Sequence, residues 1–356
     1  MGRAVAVLAS LGDRIATVLP TDNSEAPFEA IAPDGFVLER QGLDAESLEL
    51  ADRLAQAHPR VGLAEVLDHA NRQARPFAHA LGGRAGGYRW DRQDEGTRAW
   101  YPQGITGSAD AEPEGLVAGR EVHVASWYSK RGQGTRLSFV DVAARRYRHV
   151  LCVRPTGDDG FAPVKVHAGG ILWVGSLIYV ADTRHGLRVF DTDRILRVPE
   201  ARRGGAQGYA YMLPQVGAYR STGAKLSFSF VSLDRESPAA LTAGEYAKAP
   251  GGRVVRWAID LSTGLVPDGR ATEAFRAPFD RLQGAATVSG KRLASSSRRG
   301  GRLYVARSGD RSTGHVWWPF LPEDLYVSGP TRKVHSLTEE PGMRMVFGVP
   351  YSVLGL

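Results

Sequence analysis

The sequence predicts an all-β protein. The expected fold is a β-propeller of about five blades, or six if the segment Pro199 to Tyr211 holds another. An N-terminal strand closes it, and a partly helical N-terminal segment precedes it. Two observations carry this reading. A short polar signature recurs at the start of one expected strand after another: Pro102-Gln103-Gly104-Ile105, His167-Ala168-Gly169-Gly170-Ile171, Pro214-Gln215-Val216, Leu282-Gln283-Gly284-Ala285 and Pro322-Glu323-Asp324-Leu325. Between recurrences, at intervals of roughly 40 to 70 residues, lie three or four short β-rich runs, which is how radially repeated four-stranded blades read in sequence. The polar residue then stands at the mouth of each innermost strand. Gln103, His167, Gln215, Gln283 and Glu323 are therefore expected to ring a central channel.

The chain divides by pattern into residues 1–86 and 87–356. In the first part an irregular stretch, Pro20 to Pro33, precedes a helical one in which Leu48, Leu50, Ala51, Leu54 and Ala55 recur at three-and-four spacing before His58-Pro59 ends it. A second helical run, Leu63 to Ala74, stops at Pro76. From Tyr88 the period changes to two. The first blade reads Ile105 to Ser108, Val122 to Trp127, Leu137 to Val142 and Tyr147 to Val153. The second begins at Ile171, with an outer strand near Ile195 to Val198, and the third runs from Val216 to Ile259. The fourth spans Ala285 to Trp317, and the last, Leu325 to Val349, is one strand short. Because an unpaired edge is a template for aggregation, a strand near Tyr88-Arg89-Trp90 is expected to complete that last blade.

Composition narrows the class. With 43% hydrophobic residues in 356, there is ample material for a core. No run of about 18 consecutive apolar residues occurs, so no membrane-spanning helix is expected. The stretch Ala4 to Leu11 after Arg3 resembles a short export signal, but Gly12-Asp13-Arg14 interrupts it and no small-x-small cleavage site follows. A cytoplasmic location is therefore expected, with secretion as the alternative. The single cysteine, Cys152, sits in a strand-like run as an inert thiol, which leaves no disulfide and no cysteine-based zinc site. The net charge of +7 comes largely from scattered arginines without a nucleic-acid motif, so a specific nucleic-acid partner is not expected.

Several words along the chain carry a resemblance. Trp100-Tyr101-Pro102-Gln103-Gly104, Ser126-Trp127-Tyr128-Ser129-Lys130, Tyr179-Val180-Ala181-Asp182-Thr183, Val231-Ser232-Leu233-Asp234-Arg235, Gly244-Glu245-Tyr246 and Pro322-Glu323-Asp324-Leu325 occur in that order. From about His58 to the end, the chain resembles an actinobacterial group of β-propeller proteins usually described as secreted or hypothetical. The resemblance implies a propeller and no particular activity. This chain departs from the group's pattern in lacking a clear export signal and further cysteines.

Propellers place function where inner strands and loops converge polar side chains on one axis. Within the expected ring, His167 and Glu323 are the proton-exchanging pair that acid–base chemistry needs, and Gln103, Gln215 and Gln283 suit ligand orientation. Tyr128 and Glu245 are further catalytic candidates. Ser126, Trp127, Tyr246 and Arg344 are candidates for substrate contact. Alternation sets Ser126 and Tyr128 on one face of their strand and Trp127 on the other. Glu339 and Arg344 flank the Pro341-Gly342 turn and read as a structural ion pair. The carboxylates Glu323, Asp324, Asp110 and Asp182 suit a hard cation, calcium above all, although Asp182 equally suits a turn that caps its own backbone. No cofactor is required by any motif. The nucleophile elbow, zinc helix, phosphate loop and dinucleotide fingerprint are all missing, which argues against conventional serine hydrolase, zincin, NTPase and Rossmann chemistry.

Two functions fit. One is a cofactor-independent or metal-assisted enzyme of lyase, cyclase or hydrolase type, acting on a small organic molecule at the channel mouth. The other is a non-catalytic module that binds a sugar, peptide or surface polymer on aromatics such as Trp100, Trp127, Tyr128, Trp173 and Trp317.

Overall fold

Each run of alternating residues after Trp90 finds an antiparallel neighbour, and a computed structural model of the chain shows that these pairs build a five-bladed β-propeller. The structure describes residues 21–80, 83, 85–157, 160–298, 301–307, 310–315 and 318–356. The export-like stretch Ala4 to Leu11 and Trp317 lie outside them. No helix among the described residues is long and apolar enough to cross a membrane.

Before the first blade the chain forms β1 (Thr21–Glu25), β2 (Glu29–Ile31), β3 (Phe36–Gly42), α1 (Ala45–Arg53), α2 (Leu63–Asp68), β4 (Arg72–Gln73), β5 (Arg75–Ala80) and β6 (Ala85–Arg89). The first blade follows α3 (Arg92–Gly96) and comprises β7 (Trp100–Gly107), β8 (Val122–Ser129), β9 (Thr135–Asp141) and β10 (Arg146–Thr156), with a hairpin strand β11 (Gly160–Pro163) on its edge. The second is β12 (Ile171–Val174), β13 (Leu177–Asp182) and β14 (Gly186–Asp191). After the two-residue β15 (Leu196–Arg197), the long β16 (Tyr211–Gly223) completes it. The third is β17 (Phe230–Asp234), β18 (Ala240–Gly244), β19 (Arg253–Ala258) and β20 (Ala271–Arg276). The fourth is β21 (Leu282–Val288), β22 (Lys291–Ser296), β23 (Arg302–Arg307) and β24 (Ser312–His315). The last is β25 (Pro322–Ser328), β26 (Lys333–Thr338) and β27 (Met345–Pro350), and β6 pairs with β27 from Met345↔Arg89 to Gly348↔Gly86. The chain's start thus closes the ring beside Tyr88 and Arg89, as expected.

The N-terminal part is less separate than its composition suggests. β1 pairs with β24, β2 with β20, β3 with β16, β4 with β10 and β5 with β6. One strand is laid on the outer edge of each blade in the order fourth, third, second, first, fifth, so the segment is a belt that covers edges otherwise open to pairing. Two helices interrupt it, the second ending at Asp68 instead of running to Ala74, because Arg72 and Gln73 pair as a strand with Tyr147 and Arg146 of β10. The Asp44 carboxylate accepts the Ser47 amide at 2.9 Å to cap α1, and α2 buries Leu63, Val66 and Leu67.

Three expectations fail here, the first being the second blade's outer strand, which is not Ile195 to Val198 but β16, the strand that pairs with β14. Val216 to Tyr219 is not the innermost strand of the third blade; it belongs to β16, whose first residues run parallel to β10 and whose later ones pair with β14. The segment Pro199 to Tyr211 holds one turn of 3₁₀ helix, Glu200–Arg202, and no sixth blade.

With five blades the inner strands crowd the axis, and glycine sits where they meet. A Cβ on Gly169 would lie 2.2 Å from the Ser229 carbonyl oxygen, and one on Gly170 would lie 2.1 Å from the Val231 nitrogen. Between blades the packing is aromatic: Trp90, Trp127, Trp173 and Trp257 are almost entirely buried. Trp90 meets Trp127 edge-on at 4.9 Å across the seam between the last and first blades.

Candidate active site at the channel mouth

The recurring polar signature has a backbone cause. In β7 the register passes from Pro102↔Trp127 to Gly104↔Ser126, which leaves Gln103 without a partner. In β21 it passes from Leu282↔Ser296 to Gly284↔Ser295, leaving Gln283, and in β25 from Pro322↔Thr338 to Leu325↔Ser336, leaving Glu323 and Asp324 opposite Leu337 alone. Three inner strands therefore begin with a β-bulge, the device that turns a side chain out of the ladder. In the second blade the turn is made by Ala168, at φ +57°, directly after His167.

These turned-out residues meet in one cavity of about 380 Å³, lined by Gln103, Tyr128, His167, Gln283, Glu323 and Glu339, with Thr183, Ser229, Tyr246, Ser297 and Leu321 completing its wall. Gln103 Nε2 donates to Glu339 Oε2 at 2.7 Å and to its own neighbour's carbonyl, Pro102 O, at 3.0 Å. Gln283 Nε2 donates to Glu323 Oε1 at 3.1 Å. The Tyr128 ring stacks on His167 with centroids 4.3 Å apart.

The electrostatics separate the ionisable groups. Glu323 is only 3% exposed. Burial, reinforced by the charges of Glu339 and Asp324, pushes its carboxyl well above the usual range and so favours its protonated form. Glu339 is raised by burial too, but the Gln103 amide, Lys130 and Arg344 oppose the shift. His167 moves the other way: burial in the cavity wall and the nearby Lys130 charge lower it, which keeps the imidazole neutral at pH 7. Burial and Glu339 hold the Tyr128 phenol above its ordinary value, so it remains a neutral donor.

Other candidate residues lie elsewhere. Gln215 is in β16 opposite Phe190, away from the cavity, and Ser229, just before β17, takes the place expected for it. Ser126 Oγ is buried, accepting the Gly104 amide at 2.9 Å and donating to Ala168 O at 2.8 Å, so it clips the first blade to the second. Trp127 is packed in the seam between blades. Glu245 holds Arg253 through two hydrogen bonds of 2.8 and 2.6 Å; burial opposes its ionisation, but the bonds from Arg253 and the Ser227 amide keep it below the ordinary value. Tyr246 does reach the cavity and is 40% exposed. Arg344 is fully buried behind Tyr101 and Trp127. Rather than pairing with the Glu339 carboxylate, it donates from Nε to the Glu339 carbonyl and from Nη1 to Asp94 O, each at 2.7 Å. It thereby fixes the loop that carries Glu339, and burial lowers it to about 10.

The four acidic residues considered for a cation have separate surroundings. Asp324 Oδ2 accepts the amides of Ile105 at 3.3 Å and Ile171 at 3.0 Å, tying the last blade to the first and second. Asp110 follows the far end of β7 and accepts the Thr106 hydroxyl at 2.6 Å. Asp182 is bound by Arg188 at 2.6 Å and caps the Arg184 amide, which is the turn-capping alternative. Among the described residues, no three His, Cys, Asp or Glu side chains converge as ligands for one metal ion.

Glu339 is the cavity carboxylate whose place the sequence hid, because its spacing to Arg344 across a Pro-Gly turn suggested an ion pair. Ser229 was hidden by the Pro214-Gln215 decoy.

A scan against protein-family models matches none of them, and a search of curated proteins likewise finds no match. Among solved structures, a gluconolactonase from Xanthomonas campestris is similar over 83% of this chain and 98% of its own, at 14% identity and a TM-score of 0.39. At that TM-score the likeness adds nothing to the argument, and the propeller assignment rests on the strand pairing above.

Proposed function

We propose that the channel mouth is the active site of a non-redox enzyme that uses acid–base chemistry on a small hydroxylated molecule. The observation that carries this reading is one cavity lined by both Glu323 and His167, in which burial favours the protonated carboxyl and the neutral imidazole. Two titratable groups whose surroundings drive them apart are a ready acid and a ready base. His167 would take a proton from water for hydrolysis, from a substrate hydroxyl for ring closure or from a carbon beside a carbonyl for elimination, while Glu323 delivers one to the departing oxygen.

The substrate class follows from hydrogen-bonding capacity. Gln103 and Gln283 both line the cavity and already donate from Nε2 to carboxyls, which leaves their carbonyl oxygens as acceptors suited to hydroxyl donors. A neutral, hydroxyl-bearing ester or lactone of modest size fits such a lining. The binding-module alternative finds less support, since Trp127 and Trp173 are fully buried and Tyr128 and Tyr246 are the aromatic rings of the cavity wall among the described residues.

Proton release from a panel of hydroxylated γ- and δ-lactones and simple esters tests the reading. Glu323→Gln and His167→Ala should each lower kcat about 10²- to 10⁴-fold with the circular dichroism spectrum intact. Turnover untouched in both variants would refute it.

A further inference from the structure

A second cavity, of about 270 Å³, lies on the flank of the first blade, where the belt and the segment Pro199 to Tyr211 fold over it. It shares no lining residue with the channel mouth. Its wall holds three arginines, Arg72, Arg136 and Arg148, together with Asn71, Gln133 and Tyr209. Gln207 Nε2 donates to Gln133 O at 2.7 Å and pins the covering segment to the blade.

We propose that this cavity binds a small multivalent oxyanion, a phosphate ester or a di- or tricarboxylate, between Arg136 and Arg148.

The charges are unevenly matched. Asp94 accepts from Arg136 at 2.9 Å and lies 3.1 Å from Arg72, which also reaches Asp91 at 3.0 Å. Those two carboxylates balance Arg72 and Arg136 and nothing more. Arg148 pairs with no carboxylate among the described residues; its Nη1 donates to His69 O at 2.9 Å. Arg203 lies close enough for its charge to act on Arg148, and its buried Nε also has no partner. Arg136 is 5% exposed, lies between the rings of Trp100 at 4.5 Å and Trp127 at 4.8 Å, and leaves its buried Nε unbonded. A buried guanidinium with an unused N–H, in the wall of a cavity that also holds a second guanidinium without a carboxylate partner, lacks an acceptor rather than a donor. Planar guanidinium forks bind carboxylate and phosphate oxygens two at a time.

The cavity offers no competing chemistry of its own. His149 at its floor is bonded to Asp94 Oδ2 at 2.9 Å and to Ser138 Oγ at 2.8 Å, a chain with the spacing of a catalytic triad. The serine, however, is completely buried behind the imidazole, out of reach of anything in the cavity. Burial also keeps His149 neutral, so it adds no charge to the site.

Calorimetric titration of the full chain with inorganic phosphate, and separately with citrate, at constant ionic strength tests the proposal. Saturable binding of one or both is expected, and which of them binds tells phosphate from carboxylate recognition. Arg148→Gln should weaken it about tenfold or more, as the loss of one charge-assisted pair requires, with Arg148→Lys intermediate. Arg332→Gln, a change on the distant last blade, should leave it unaltered. Absence of saturable binding to the wild-type protein, equal affinity in Arg148→Gln, or an equal loss in Arg332→Gln would each overturn the proposal.

Discussion

Replacing Asp110 by asparagine probes the deep end of the channel. The Asp110 side chain is 3% exposed and accepts one hydrogen bond, from Thr106, and burial pushes its carboxyl up to about 8. Because this value lies above that of the unfolded chain, the folded protein keeps a proton that the unfolded chain releases. Stability present below about pH 4 is then lost as the pH rises to about 8, at about 1.4 kcal/mol per pH unit. At pH 7 the accumulated loss is about 4 kcal/mol. Asparagine has no proton to lose, and its amide oxygen can still accept from Thr106. The advantage of Asp110→Asn over the wild type should therefore grow from nothing near pH 4 to about 4 kcal/mol at pH 7, read as the difference in urea unfolding midpoints times the m-value. Parallel profiles for the two proteins would refute the reasoning and mean that Asp110 is ionised in the folded state.

Acid should act through buried imidazoles. Burial holds His123 and His149 down at about 4 and lowers His335 as well, so below about pH 6.5 the unfolded chain takes up protons that the folded one refuses, and each group subtracts about 1.4 kcal/mol per unit. Thermal midpoints should fall between pH 6.5 and 4.5, less steeply in His335→Gln, and an unchanged slope would contradict this. Gly170→Ala should cost about 1–3 kcal/mol or more by forcing inner strands apart, whereas Gly62→Ala, with nothing within 4 Å, should stay within about 0.5 kcal/mol. Deleting residues 1–43 bares the outer edges of β24, β20 and β16, and light scattering should then show concentration-dependent association that the full chain lacks.

The blades were legible because their inner strands repeat a demand of the backbone. A bulge turns Gln103, Gln283 and Glu323 out of the ladder, and after the two glutamines a glycine follows where neighbouring strands touch, so a polar residue at the strand start recurs. Pro214-Gln215-Val216 imitates that pattern within an outer strand long enough to serve two blades, while the true start of the third blade carries Ser229 without a preceding proline. The belt was illegible for the opposite reason. Strands as short and polar as Arg72–Gln73 or Glu29–Ile31 have no apolar alternation to announce them; they are strands because a blade edge offers unpaired amides and carbonyls. At the site, pattern reading found His167, Glu323, Gln103, Gln283, Tyr128 and Tyr246, all of which line the cavity. It lost Glu339, whose position depends on Arg344 reaching back to a backbone carbonyl, a contact between atoms that spacing alone does not reveal.

The proposed acid–base chemistry requires a protonated Glu323 and an unprotonated His167 at neutral pH. Infrared difference spectroscopy of wild type against Glu323→Gln at pH 7, with nitrogen NMR of the His167 ring on the same samples, measures both. The account predicts a protonated-carboxyl carbonyl band that disappears in Glu323→Gln, together with a neutral imidazole at His167. An ionised Glu323 beside a protonated His167 would contradict it.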